Sequence, residues 1–436
     1  MTQDEIRYGS EKPAGYRQRV VDARIQKLLG LFGAVEVTGT KWCGKTWSAL
    51  AFGESVIHVD DERIKALVSA DPMLSLEGKK PHVIDEWQEV PSIWDAARRV
   101  IDASGSEKGS YLLTGSSTPE KDKVSHSGAG RIARIRMHTM SLWEEGVSSG
   151  TVSLAGLFEG SFDQGVSDSP GLSFFAQNIC RGGWPALLDS SVDAAAETVE
   201  QYLESLFEIS APKKGGNSHT ARKIATSLAR NVATAATLET IAADVFDESR
   251  PDYSRETVSF YIDLFKDLYL IEELHGWDAP VRSKSRLRTK PKRYFADPSI
   301  PARLLGMNPD RLLSDAQTFG LMFESLCVRD LRVYTSVLMG SSTDSLRYYQ
   351  DADGLEVDAI IELNDGRWAG LEIKLGEDKV PNGIASLNRL RRKIKLNPVA
   401  RNKEPSFMAV VTGHSPFARY DKENDVYVIP INCLRP

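Results

Sequence analysis

The chain has 436 residues, longer than one typical domain, so two or three are expected; its 41% hydrophobic and 26% charged residues are ordinary for a soluble globular protein. No apolar run approaches the roughly 18–20 residues of a membrane span, the charged start M-T-Q-D-E-I-R-Y-G-S lacks a signal core, and Cys43, Cys180, Cys327 and Cys433 form no C-x-x-C pair. These features predict a cytoplasmic chain without a membrane partner, and a net charge of −6 argues against a surface that coats nucleic acid throughout while leaving a local basic patch open.

From about Val35 to Met140, short apolar runs alternate with helical stretches: A-V-E-V-T-G, S-V-I-H-V-D, H-V-I-D-E, Y-L-L-T-G-S-S and R-I-A-R-I-R-M. This βαβα rhythm predicts a mostly parallel sheet with helices on both faces. Between its first strand and first helix, residues 39–46 read G-T-K-W-C-G-K-T, a full G-x-x-x-x-G-K-[ST] phosphate loop. The two glycines let the backbone curl so that the N–H groups of Gly39, Thr40, Lys41, Trp42, Cys43, Gly44, Lys45 and Thr46 can cradle phosphate, aided by the helix dipole. Lys45 is expected on the β- and γ-phosphates of ATP and the Thr46 hydroxyl on Mg²⁺.

The run H-V-I-D-E at 82–86 sets two carboxylates at a strand end. Asp85 is expected to hold Mg²⁺ through water, and Glu86 to orient and activate the attacking water. The next buried strand ends in hydroxyls, and Ser116 or Thr114 is expected to contact the γ-phosphate or that water. Together these residues resemble an AAA-type ATPase domain. More closely, they are similar to a bacterial and archaeal family in which such a domain precedes a C-terminal domain of unassigned function. The likeness rests on the loop, I-D-E-W-Q-E-V-P at 84–91, L-T-G-S-S at 113–117, G-R-I-A-R-I-R-M-H-T-M-S-L-W-E at 130–144 and R-G-G-W-P-A at 181–186. The loop begins Gly39-Thr40-Lys41 where the family often has Gly-Pro-Arg, and Trp47 stands where a second Thr is common, outside the magnesium shell. The resemblance implies that Arg131 supplies transition-state charge from a neighbouring subunit in a homo-oligomer, with Arg134 a weaker candidate.

Residues from Gly146 to about Pro170 are rich in Ser, Gly and Asp and read as an insertion or boundary. From Val192 to Val245 the pattern is helical, interrupted by the polar stretch 211–220. A short helix in T-L-E-T-I-A-A-D-V-F, Ser254 as an N-cap, and Val258, Tyr261, Ile262, Phe265 and Leu268 on one helix face lead into the apolar strand Y-L-I-E-E-L. Helix, turn, helix and strand in that order look like a winged helix, as the resembling family has here. Seven of the twelve residues 282–293 are basic, which on a wing would contact nucleic-acid phosphate.

The C-terminal part supplies a helix bearing Glu324, a strand–turn–strand with Asp358, and a strand whose Glu372 and Lys374 share one face. This ordered set resembles the PD-(D/E)xK nuclease fold, which implies metal binding by Glu324, Asp358 and Glu372 and a catalytic role for Asp358, Glu372 and Lys374. The expected architecture is therefore an AAA-type ATP-binding domain at 1–190, a helical and winged-helix segment at 191–300, and a restriction-endonuclease-like α/β domain at 301–436. Two functional readings follow. In one, a Mg-dependent ATPase controls a C-terminal domain that binds or cuts nucleic acid. In the other, ATP orders an adaptor or regulator for a protein partner.

Overall fold

The computed structural model describes residues 6–118, 127–165, 171–246, 255–342 and 345–436. They form two compact units: 1–139 with 267–269, and 140–266 with 270–436. The anticipated boundaries at 190/191 and 300/301 both fall within the second unit's span.

In the first unit the elements run α1 (Asp22–Leu29), β1 (Ala34–Thr38), α2 (Lys45–Phe52), β2 (Ser55–His58), α3 (Glu62–Ala70), β3 (His82–Asp85), α4 (Ser92–Ala103), β4 (Tyr111–Gly115) and β5 (Ile132–Arg136). The sheet is all parallel, in the order β2-β3-β4-β1-β5. Strand side chains alternate between its faces, and two apolar clusters follow from that alternation. Ala34, Ile84, Leu113 and Ile132 pack with Val68, Trp94, Ala97 and Ile101 of α3 and α4. Val35, Val37, Val83, Leu112 and Ile135 pack with Ile25, Ala49 and Phe52 of α1 and α2. A sheet buried on both faces needs near-continuous apolar strands, and all five residues of β1 and of β4 are buried. One of them, Glu36, is charged; it accepts from Trp87 Nε1 (3.1 Å) and Arg134 Nε (2.5 Å). Burial still pushes the Glu36 carboxyl above its ordinary range, against the pull of Arg134.

The second unit begins with β6 (Val152–Ser153), α5 (Leu154–Phe158), α6 (Gly171–Arg181), α7 (Val192–Ser205), α8 (Ala211–Lys213), α9 (Ser218–Arg230), α10 (Leu238–Val245) and α11 (Arg255–Asp267). Asn217 caps α9 by accepting from Thr220 N at 3.0 Å. Ser254 and residues 166–170 lie outside the described residues. β7 (Ile271–Leu274), α12 (Ser285–Arg288) and β8 (Lys292–Phe295) follow, and β7 pairs antiparallel with β8. Next come α13 (Ser299–Leu304), α14 (Pro309–Ser314) and the 20-residue α15 (Ala316–Thr335), capped by Asp315.

The chain ends in β9 (Leu346–Gln350), β10 (Glu356–Glu362), β11 (Trp368–Gly376), α16 (Val380–Leu396), β12 (Phe407–His414), β13 (Arg419–Asp421), β14 (Val426–Pro430) and β15 (Leu434–Arg435). Six of these strands form a mixed sheet, β13-β14-β12-β11-β10-β9, with β11, β12 and β14 parallel. β15 pairs with β6, which ties residues 152–153 to the chain's last strand. In α16, Val380, Gly383, Leu387, Leu390 and Ile394 recur at intervals of three and four and are buried. Their stripe packs with Ile360, Trp368, Met408, Val410 and Val428 of the sheet. α15 also packs on β11.

Candidate functional site

β1 ends at Thr38, and the chain turns through residues 39–44 before α2 starts at Lys45. The turn depends on its glycines. A Cβ on Gly39 would lie 2.3 Å from the Met137 carbonyl oxygen, and Gly44 sits at φ 101°, in the left-handed region. Trp42 also has a positive φ, 67°, and is exposed, whereas Thr40, Cys43 and Lys45 are buried. The Lys45 ammonium donates to the Thr40 carbonyl at 2.9 Å, within the loop itself.

The carboxyl ends of β1, β3 and β4 lie side by side, the position where open α/β sheets take ligands. There the side chains form two hydrogen-bonded groups. Asp85 Oδ1 accepts from the Thr46 hydroxyl at 2.8 Å and from the Thr114 hydroxyl at 2.5 Å, and Asp85 Oδ2 lies 3.0 Å from His58 Nδ1. Glu86 accepts from the Ser116 hydroxyl at 2.8 Å and from the Gln88 amide, and its backbone N–H donates to Thr114 Oγ1 at 3.1 Å. Glu86 itself is held at φ 54°, a strained conformation for a non-glycine residue, of the kind found at functional sites. All expected members (Lys45, Thr46, Asp85, Glu86, Thr114 and Ser116) therefore meet at one end of the sheet. The donor set fits Mg²⁺: a hydroxyl and a carboxylate, hard oxygens, stand within 2.8 Å of each other beside the phosphate loop.

Several residues in this neighbourhood carry no readable motif. Arg19, buried, donates to the Cys43 carbonyl (2.8 Å) and the His138 carbonyl (2.9 Å), bracing the loop from behind. Asp22 accepts from Arg19 N, Tyr16 OH and Tyr8 OH, and Tyr16 OH also meets Ser48 Oγ on α2 at 2.9 Å. Burial raises both the Asp22 carboxyl and the Tyr16 phenol above their usual ranges. His58 and Gln88 join the two carboxylates. An isolated arginine, histidine or glutamine gives no spacing signal, so only the fold reveals these contacts.

The expected arginine lies elsewhere. Arg131 precedes β5 at the amino ends of the strands, where its carbonyl accepts from Ala34 N at 3.1 Å. Its guanidinium pairs with Asp102 at 2.7 Å and also donates to the Ala129 carbonyl. The length of β1, about 15 Å at 3.3 Å per residue, separates it from its own phosphate loop. Arg134 pairs with Glu36.

In the second unit, Glu324 on α15, Asp358 on β10 and Glu372 and Lys374 on β11 come together, joined by Glu356 on β10 and by Lys292 and Tyr294 on β8. Lys374 Nζ lies 3.1 Å from Asp358 Oδ2 and also pairs with Glu372. Lys292 Nζ lies 2.9 Å from Glu324, 2.6 Å from Glu356 and 3.8 Å from Asp358. Tyr294 OH donates to Glu324 at 2.7 Å, and Ile373 N donates to Asp358 at 2.8 Å. Burial pushes Glu324 up to about 7, partly offset by Lys292, and pushes Glu372 up as well, with Asp358 adding to it. Asp358 moves the other way: burial opposes its charge, but Lys374 and Lys292 hold it below the usual carboxylate range. A cleft of about 420 Å³ opens beside Glu356, Asp358, Glu372, Lys374 and Arg389. Lys374 belongs to the expected set, but Lys292 is a second ammonium among the carboxylates expected to hold metal, 2.9 Å from Glu324 and 3.8 Å from Asp358. Among the described residues, no three His, Cys, Asp or Glu side chains are grouped to hold a metal ion.

The basic run divides in two. Arg286 pairs with Glu362 through both terminal nitrogens (2.7 and 2.8 Å), Arg293 pairs with Glu273 (3.3 Å), and Lys292 is buried as above. Arg282, Lys284, Arg288 and Lys290 are exposed.

Comparison with known proteins matches each part of the chain separately. An AAA domain family matches residues 32–145, a domain of unknown function (DUF8612) residues 173–311, and a second domain of unknown function (DUF4143) residues 319–434. Uncharacterized proteins of Mycobacterium tuberculosis and Mycobacterium bovis are each 25% identical over 366 residues, covering 82% of this chain and 74% of the relative. Among solved structures, a Walker-type ATPase of Pyrococcus abyssi is similar over 68% of this chain and 97% of its own, at 13% identity and a TM-score of 0.41. The replication initiator DnaA, bound to AMPPCP and single-stranded DNA, is similar over 57% of this chain and 86% of its own, at 17% identity and a TM-score of 0.27. No helix among the described residues is long and apolar enough to cross a membrane. The phosphate loop, its parallel sheet and the matched segment 32–145 together make this part of the chain an AAA-type P-loop ATPase domain, a fold that binds ATP.

Proposed function

We propose that the chain is a Mg-dependent ATPase whose nucleotide state controls its second unit. The observation that carries this reading is the pair of hydrogen-bonded groups, Asp85 with Thr46 and Thr114, and Glu86 with Ser116, beside the loop that holds Lys45. The loop amides of residues 39–46 bind the phosphates, and Lys45 leaves the Thr40 carbonyl for the β- and γ-phosphate oxygens. Thr46 and Asp85 would hold Mg²⁺, which would neutralise charge on the phosphates. Glu86 accepts a proton from water as the water oxygen bonds to the γ-phosphorus. The bond from that phosphorus to the β–γ bridging oxygen breaks, releasing ADP and inorganic phosphate. Ser116 keeps the Glu86 carboxylate aimed. Arg131, at the opposite strand ends, serves only the ATP of a second copy, which makes a homo-oligomer part of the proposal.

For the second unit, α9, α10 and α11 followed by the β7–β8 pair support the winged-helix reading. The four exposed cations Arg282, Lys284, Arg288 and Lys290 support nucleic-acid contact there. The mixed sheet with α15 and the E-x-K strand supports the PD-(D/E)xK-like reading of the C-terminal fold, whereas Lys292, an ammonium outside that motif among its carboxylates, favours a binding role over cleavage. A protein-directed adaptor stays as the second reading on that same observation. ATP turnover of wild type and Lys45→Ala, measured with and without Mg²⁺, tests the central claim. Loss of one charge clamp on the phosphates costs about 10²–10³-fold in turnover, and turnover that persists in the variant overturns the reading.

A further inference from the structure

We propose that Lys292 is the resident cation of the C-terminal carboxylate cluster, so that the wild-type cluster takes no divalent metal and gains a site for one only when that ammonium is removed. The inference goes beyond the ATPase reading and is independent of it.

Strand periodicity explains how the lysine arrives. Residues two apart on a strand share a face, and Lys292 and Tyr294 of β8 both reach Glu324 Oε1, at 2.9 and 2.7 Å. Arg293, between them, turns to Glu273 and the Ala236 carbonyl instead. Lys292 is 1% exposed, so its ammonium is not a surface charge that happens to lie near acids. It meets carboxylates from two further points, Glu356 at 2.6 Å and Asp358 at 3.8 Å, both on β10. An ammonium whose neighbours come from a helix and a strand, and which is sealed from water, stands where three carboxylates converge. A divalent ion bound by the same oxygens would have to displace it. The second ammonium, Lys374, takes the remaining pair, Asp358 and Glu372.

Charge makes the prediction asymmetric. Four carboxylates (Glu324, Glu356, Asp358 and Glu372) face two ammonium groups, and deleting Lys292 leaves three buried or half-buried acids without their shared cation. Removing one partner of a buried ion pair leaves an uncompensated charge at a high cost. Hard oxygen ligands of that charge then favour a divalent cation.

The test is Mn²⁺ titrated into the nucleotide-free full chain, with free Mn²⁺ followed by electron paramagnetic resonance. Wild type and Glu324→Gln are expected to give the same isotherm, since the cluster contributes nothing to either. Lys292→Met is expected to gain one bound Mn²⁺ per chain that wild type lacks, because the cation neutralising those oxygen ligands is gone. Adding Glu324→Gln to Lys292→Met should remove the gain, and Lys292→Arg should show none. Wild-type Mn²⁺ binding that disappears in Glu324→Gln overturns the proposal, and this comparison stands even if Lys292→Met does not fold. A folded Lys292→Met that binds no more Mn²⁺ than wild type overturns it equally. Binding at the ATP site is common to all these variants and cancels in the comparison.

Discussion

Each unit gathers acidic side chains at its sheet, and the two gatherings differ in what satisfies the acids. In the first unit, Asp85 and Glu86 accept hydrogen bonds from neutral groups, the hydroxyls of Thr46, Thr114 and Ser116 and the amide of Gln88, with His58 beside Asp85. In the second, Glu324, Glu356, Asp358 and Glu372 are held by the ammonium groups of Lys292 and Lys374. Neutral donors orient a carboxylate and leave its charge to act on something that arrives later. A fixed cation uses that charge up. An acidic cluster is therefore a candidate for metal or proton chemistry only once its existing partners are known, and the residue types of the cluster alone do not tell.

The comparison breaks most sharply at Glu86. If its charge is free to take a proton from water, Glu86→Gln keeps ATP binding while turnover falls about 10²–10⁴-fold, the usual contribution of a positioned base. Equilibrium binding of a fluorescent ATP analogue, read beside steady-state turnover, separates the two effects. A variant that hydrolyses ATP normally would make Glu86 a structural acid like those of the second unit. A smaller effect is expected at Thr114, whose hydroxyl donates to Asp85 and accepts from Glu86 N. Thr114→Val keeps the shape and removes both bonds. Groups that orient a metal's ligands are worth about 10–100-fold, so kcat should fall in that range with a raised Mg²⁺ requirement. An unchanged Mg²⁺ requirement would detach Asp85 from the ion.

Much of the first site is legible in the sequence because its signals are local. The loop from Gly39 to Thr46 is contiguous, and Asp85, Glu86 and Ser116 end apolar runs whose order along the chain gives the strands. The partners that brace them are not legible. His58 meets Asp85 and Gln88 meets Ser116 only because the sheet order β2-β3-β4 sets those strand ends side by side, and Arg19 reaches Cys43 in the loop from the segment before α1. The second cluster is half legible: strand periodicity sets Glu372 and Lys374 on one face, and the resemblance names Glu324 and Asp358 as their companions. Lys292 escapes sequence reading for a physical reason. It lies near the end of a basic run that reads as a single solvated stretch, yet the run enters β8 there, and strand alternation turns Lys292 inward and Arg293 away from it.

Glu145 sharpens the comparison further, because it asks whether neighbouring cations suffice to keep a buried acid charged. Its Oε2 accepts from Asn178 Nδ2 at 3.0 Å and from Arg181, and Arg329 lies near enough to act on its charge. Even so, burial outweighs these partners and pushes the carboxyl up to about 7 from an ordinary 4.5. Between those two values the folded state binds this proton and the unfolded state does not. Through this group, stability is therefore greatest at low pH and is lost as pH rises toward 7. At 1.36 kcal/mol per pKa unit, the loss is at most about 3 kcal/mol. Glu145→Gln imitates the protonated acid, so it should match wild type near pH 4.5 and exceed it by up to that amount near pH 8. Urea unfolding midpoints of the two proteins at both pH values decide the matter. An offset between them that does not change with pH would mean that Arg181 and Arg329 keep Glu145 ionised, as Lys374 and Lys292 keep Asp358.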